Sequence, residues 1–209
     1  MLLKTGDLYS KDFCYGEVPT KYDIFDFETY RNNPMEFYVV CTDVTTGEPV
    51  YKKCDNFDNG NFEWIRASAS MPLVSNIVEI DGMKLLDGGI SDSVPIKHFE
   101  KIGYDKNIVV LTQPRGYRKK KNMLTPLMRL RELKYPKIAE AMAKRHIIYN
   151  QTSDYIDEME AKGNILVLRP DKLLDISKTE HDAQKLKNVY ELGRKAALDR
   201  LDEIKEYLS

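Results

Sequence analysis

Two kinds of apolar pattern run along this chain: short β-branched and aromatic blocks, and longer stretches spaced by three and four residues. Glu36-Phe37-Tyr38-Val39-Val40-Cys41-Thr42 predicts a strand, and Pro49-Val50-Tyr51-Lys52 predicts a return strand after the turn residues Thr45-Thr46-Gly47-Glu48. Asn76 to Ile80, then Asp81-Gly82, then Met83 to Leu86 predict a hairpin, because Asp-Gly suits a two-residue turn with positive φ. Ile108 to Leu111 and Ile165 to Leu168 read as buried-type strands. Trp64 to Met71 predicts a short helix of small residues that stops before Pro72, since the residue preceding proline avoids helical geometry. A second short helix is expected around Lys97 to Ile102.

Two longer helices follow. Over 136–162, Ile138, Met142, His146, Tyr149, Tyr155, Ile156 and Met159 fit one apolar face or two shorter ones. Near the C-terminus, Leu186, Tyr190, Gly193, Ala197, Leu201, Ile204 and Leu208 form a single helical stripe. Ser177-Lys178-Thr179-Glu180 is a candidate capping box before it. Residues 1–34 read as loops and short helices, and 55–61 as a loop. No repeat or convincing linker occurs. The expected class is α/β, with one domain favoured.

Composition narrows the function classes. In 209 residues, 32 basic and 33 acidic side chains nearly cancel, so the global charge carries no nucleic-acid or membrane signature. Three cysteines, Cys14, Cys41 and Cys54, fit a reducing compartment better than a disulfide framework. There is no Cys-x-x-Cys, and His98, His146 and His181 are widely spaced, so no metal site is expected. The apolar start at Met1 is too short for a secretory signal, and no apolar run nears the roughly 20 residues of a spanning helix. A cytoplasmic protein is expected.

The chemistry concentrates at Leu86-Asp87-Gly88-Gly89. A carboxylate at a strand end, followed by glycines that permit a tight turn, suits a general base. The same tripeptide also suits a plain turn in which Asp87 bonds nearby amides. Its context favours the first reading. Arg66-Ala67-Ser68-Ala69-Ser70-Met71-Pro72, a hairpin, and then Leu86-Asp87-Gly88-Gly89-Ile90-Ser91-Asp92-Ser93-Val94-Pro95-Ile96 resemble the patatin-like phospholipase family. Thr42-Asp43 with Thr46-Gly47, Ile108 to Pro114, and Tyr190-Glu191-Leu192-Gly193 resemble further segments of a bacterial branch of that family.

The resemblance implies a layered fold with a central, mostly parallel sheet flanked by helices. It implies an acyl hydrolase with a Ser–Asp dyad that needs no cofactor: Asp87 is the base, Gly88 and Gly89 form its turn, and a lipid or other ester is the substrate. The family's Gly-x-Ser-x-Gly elbow does not occur in these residues. Gly89-Ile90-Ser91-Asp92-Ser93 lacks the second glycine, and Gly6 and Gly16 stand alone where an oxyanion loop would be needed. The expectation is a single, N-terminally truncated, partial domain over 1–209, with a C-terminal helical region from about 122 to 209, and no activity alone. Ser68, Ser70, Ser75, Ser91 and Ser93 are read as packing or capping hydroxyls rather than substitute nucleophiles.

The alternative is a non-enzymatic module that dimerises or pairs with the missing N-terminal segment. Arg115-Gly116-Tyr117-Arg118-Lys119-Lys120-Lys121, with Arg129 and Arg131 beyond it, either meets anionic lipid or is a solvated loop neutralised by nearby acids. The aromatics of residues 9–30 either line an acyl pocket or pack in the core.

Overall fold

The computed structural model describes residues 5–55, 57, 62–121, 135–177 and 179–209. Most of the loop expected over 55–61, and Lys178, Arg129 and Arg131, lie outside them. After a π-helical stretch, Asp12–Tyr22, come α1 (Phe27–Asn32), β1 (Tyr38–Asp43), β2 (Pro49–Lys53), α2 (Glu63–Ser68), β3 (Val78–Ile80) and β4 (Met83–Asp87). A 3₁₀ turn, Gly88–Ile90, leads to α3 (Ile96–Lys101), β5 (Asn107–Val110), α4 (Pro136–Ala161), β6 (Ile165–Leu168), α5 (Ala183–Leu198) and α6 (Leu201–Leu208). The chain is α/β, as the alternation of patterns predicts, and divides into two compact units.

The first unit comprises 1–94 and 120–149. Its sheet has the order β2-β1-β4-β3, antiparallel throughout. The β3–β4 turn is the expected one, with φ of 52° at Asp81 and 76° at Gly82. Adjacent residues of β4 serve opposite faces of the sheet. Leu85 joins Val39, Cys41, Phe57, Phe62, Trp64 and Ala67 in one buried cluster. Leu86 joins Val44, Ile90, Ile138 and Met142 in another, so the first half of α4 covers that face. Gly47 lies where α4 comes close: its φ is +75°, and an added Cβ would sit 2.8 Å from the Lys137 carbonyl oxygen. The aromatics of the N-terminal segment divide. Phe25, Phe27 and Tyr30 pack on the first cluster, whereas Tyr9, Phe13 and Tyr22 are exposed.

The second unit comprises 95–119 and 150–209. Here β5 and β6 pair in parallel, in the register Asn107↔Ile165 to Val110↔Leu168. Tyr207 of α6 secures the start of the pair: its hydroxyl donates to the Asn164 carbonyl and accepts from the Asn107 amide, each at 2.9 Å. Val109 is buried, but Val110 is 72% exposed, so β5 is not the wholly buried strand that its four apolar residues predict.

The C-terminal stripe is corrected. It is two helices broken at Asp199 and Arg200, because Arg200 turns inward to donate to the Val167 carbonyl at 2.6 Å while its Nε and Nη2 pair with Glu203. No α5 residue is buried, and Leu186 and Tyr190 are exposed. The cap is also displaced from the expected Ser177. Asp182 Oδ1 accepts from the amides of Gln184 and Lys185, and Glu180 accepts from those of His181 and Asp182.

The basic loop lies beside acids of the second half of α4. Arg118 pairs with Asp154, and Arg115 pairs with Glu160 and lies 3.8 Å from Asp157. Arg169 binds the same two carboxylates at 2.5 and 2.6 Å.

Candidate active site

Asp87 closes β4 opposite Cys41 of β1, on the sheet face that α2 covers. Three hydrogen bonds hold it there. Its amide donates to the Ser70 carbonyl at 2.8 Å, which ties the strand end to the segment after α2. Its carbonyl accepts the Thr42 hydroxyl at 2.8 Å. Its Oδ1 accepts the Gly89 amide at 2.7 Å, so the carboxylate caps the 3₁₀ turn that follows. A carboxylate tied to a turn amide has one oxygen orientation selected.

The two glycines do different jobs. Gly88 is buried against β1, and a Cβ there would run into the carbonyl of Val40. The turn therefore needs glycine for close backbone approach, not for a positive φ. At Gly89 a Cβ would lie 2.9 Å from Asp87 Oδ1 and 3.3 Å from Arg145 Nη2, so it would crowd the carboxylate itself.

The small-residue segment lies against the same turn. Ser68 donates to the Val40 carbonyl at 2.7 Å and Ser70 to the Arg66 carbonyl at 2.7 Å. Ser91 is buried, its Oγ 2.8 Å from Thr42 Oγ1, and Ser93 donates to the Gly89 carbonyl at 2.9 Å. These four hydroxyls are engaged in packing and turn bonds. Beside the site, burial pushes the Cys41 thiol up to about 12, with the neighbouring Cys54 and Asp87 adding to it. That cysteine is a buried apolar residue and not a nucleophile.

Two contributors escaped the sequence reading. By sequence Thr42 is only part of a strand and turn, and nothing in the residues links its hydroxyl to Asp87. Arg145 carries no sequence signal. It comes from α4, and its Nε donates to the Gly89 carbonyl at 2.5 Å. No local motif marks a contact across so long a stretch of chain. Among the described residues, no group of three or more His, Cys, Asp or Glu is arranged to hold a metal ion, and no helix is long and apolar enough to cross a membrane.

Comparison with known families divides the chain in two. Residues 135–209 match a domain of unknown function (DUF6363), which takes in the whole of α4, α5 and α6. No curated protein matches the chain. Residues 19–99 match the patatin-like phospholipase family, from the π-helical stretch to α3, with the Asp-Gly-Gly turn inside the match. That match covers 81 of the 209 residues, and over it the chain is similar to patatin-like phospholipases.

Proposed function

We propose that this chain carries the base half of a Ser–Asp acyl hydrolase, with Asp87 as the base and a lipid ester as substrate. The observation that supports it is the fixed carboxylate at the end of β4, oriented by the Gly89 amide, within the patatin-like segment. In the reaction, Asp87 Oδ2 takes the proton of a serine hydroxyl as its oxygen attacks the ester carbonyl. The alcohol leaves with that proton, and water, deprotonated by the same carboxylate, hydrolyses the acyl-enzyme. The serine and its oxyanion amides come from outside these 209 residues, since no Gly-x-Ser-x-Gly occurs among them. On this reading 1–209 is one partial patatin-like domain with a helical C-terminal region. Its three free cysteines fit a cytoplasmic location.

The test is ester hydrolysis by the chain alone and by the chain extended with its upstream reading frame. The expected result is background hydrolysis of p-nitrophenyl esters by the first, activity in the second, and loss of that activity in Asp87→Asn. Fluorophosphonate labelling of any serine within these 209 residues, or full activity of the extended Asp87→Asn variant, overturns it.

A second reading is a chain that dimerises or pairs with another polypeptide. The exposed Leu186, Tyr190 and Leu192 on α5, and Val110 on β5, favour it. Light scattering distinguishes the two readings: a monomer at high concentration removes self-association.

A further inference from the structure

The helix that reaches the Asp-Gly-Gly turn belongs to the segment of unassigned function, and its contact with the turn is specific. Arg145 Nε donates to the Gly89 carbonyl at 2.5 Å, and the Gly89 amide donates to Asp87 Oδ1 at 2.7 Å. One peptide residue therefore links guanidinium to carboxylate, through its carbonyl on one side and its amide on the other. The two charged groups are also close in space. Asp87 Oδ1 and Arg145 Nη2 lie 2.9 and 3.3 Å from the same point beside Gly89, so they are at most about 6 Å apart.

The rest of this helix half is anchored on both sides of Asp87. Ile138 and Met142 pack on Leu86, immediately before it, and on Ile90, which follows the glycines. At the other end of β4, Lys84 donates to the Tyr135 hydroxyl at 3.1 Å. Arg145 is one residue short of a full turn beyond Met142, so a helix seated by Met142 delivers the guanidinium to the turn. A charge-assisted donor on the Gly89 carbonyl also polarises that residue, which strengthens the amide as a donor to Asp87.

We propose that Arg145 is a positioning residue for Asp87: its guanidinium holds the Gly89 carbonyl, which fixes the turn whose amide orients the carboxylate. The first part of the DUF6363 segment is thereby a component of the patatin-like site. This rests on the dyad reading for its catalytic meaning, but the geometric link stands apart from it.

Proton–nitrogen correlation NMR of the 209-residue chain tests the link without requiring activity. The Gly89 amide resonance follows protonation of Asp87 during a titration from neutral to acid pH, and Asp87→Asn abolishes that response. The expected result for Arg145→Gln is loss of most of the amplitude at Gly89, with partial recovery in Arg145→Lys, which restores the charge without the planar donor. Lys144→Gln, at the exposed neighbouring position, leaves it unchanged. Met142→Ala lowers stability but keeps the amplitude, which separates positioning from mere packing.

A folded Arg145→Gln chain with the full Gly89 response overturns the inference. If that variant does not fold, Arg145→Lys decides: a reduced amplitude supports the link and an amplitude equal to the parent's overturns it. An extended chain with no esterase activity, beside a lost Gly89 response, sinks the dyad reading and leaves the link standing.

Discussion

Thr42 on β1 donates its hydroxyl to the main-chain carbonyl of Asp87 at 2.8 Å, and so ties the centre of the sheet to the candidate base. Because that hydroxyl has one proton, the Ser91 hydroxyl 2.8 Å away is the donor in the second bond. Both side chains are buried.

Replacing Thr42 by Val keeps the shape and removes a donor and an acceptor. The bonds to the half-buried Asp87 carbonyl and the buried Ser91 hydroxyl are both lost, which costs about 1–3 kcal/mol. Thr42→Ser keeps both bonds and costs about 1 kcal/mol for the lost methyl. Urea unfolding monitored at Trp64 reads the difference.

Gly88→Ala and Gly89→Ala separate fold from site. The first drives a methyl into the Val40 carbonyl, where backbone has to move, and costs about 3 kcal/mol or more. The second meets a side-chain oxygen 2.9 Å away, so the chain stays folded and Asp87 shifts. Thermal unfolding finds a large drop for Gly88→Ala and a small one for Gly89→Ala. On the proposed dyad, the Gly89 variant also loses the esterase activity of an extended chain.

Stability falls as alkaline pH is approached. Burial raises the Cys41 thiol to about 12, whereas an unfolded thiol ionises near pH 8.5. The folded chain thus holds this proton across a window in which the unfolded chain has released it. The stabilisation is complete below about pH 8.5 and is lost as pH rises toward 12, with a slope of up to about 1.4 kcal/mol per pH unit. Tyr51, raised by burial and by its bond to Asp92, adds in the same direction. Cys41→Ala flattens the profile of unfolding free energy between pH 8.5 and 10. The native thiol also resists alkylation at pH 8 until the chain is unfolded.

Two arginines share one acidic pair and differ in cost. Arg169 is 11% exposed and bonds Asp157 and Glu160, so Arg169→Met leaves two half-buried carboxylates to the far more exposed Arg115 and costs about 2 kcal/mol or more. Arg115 meets the same carboxylates but is 63% exposed, and Arg115→Ala costs less than about 1 kcal/mol. Chemical denaturation of the two variants, with a salt series for Arg115, checks the contrast.

Much of the local structure could be read from residues alone. The Asp81-Gly82 turn demands positive φ at both positions, and both have it. The β-branched and aromatic blocks became β1, β2, β5 and β6, and the small-residue helix stopped short of Pro72. The Asp-Gly-Gly turn at the end of β4 was legible for the same reason, since a carboxylate followed by small flexible residues has few local options. The spacing predicts a single C-terminal helix because it continues smoothly through Asp199 and Arg200, whereas the chain forms two. The break comes from Arg200 reaching Val167 across the fold, which spacing does not encode.

Nearest-neighbour chemistry was thus decided along the chain: which blocks extend, where they turn, and where glycine is obligatory. Which strands pair, and in which direction, was decided by the sheets. The patatin-like segment pairs antiparallel and the parallel ladder lies between β5 and β6. The site's supports were decided there as well. Thr42, Ser70 and Arg145 are remote from Asp87 in sequence and meet its turn only after Leu85 and Leu86 commit the two faces of β4 to different clusters. Backbone propensity and side-chain period are local quantities, whereas burial pairs whatever residues the closed chain brings together, and Asp87 acquired its partners by the second route.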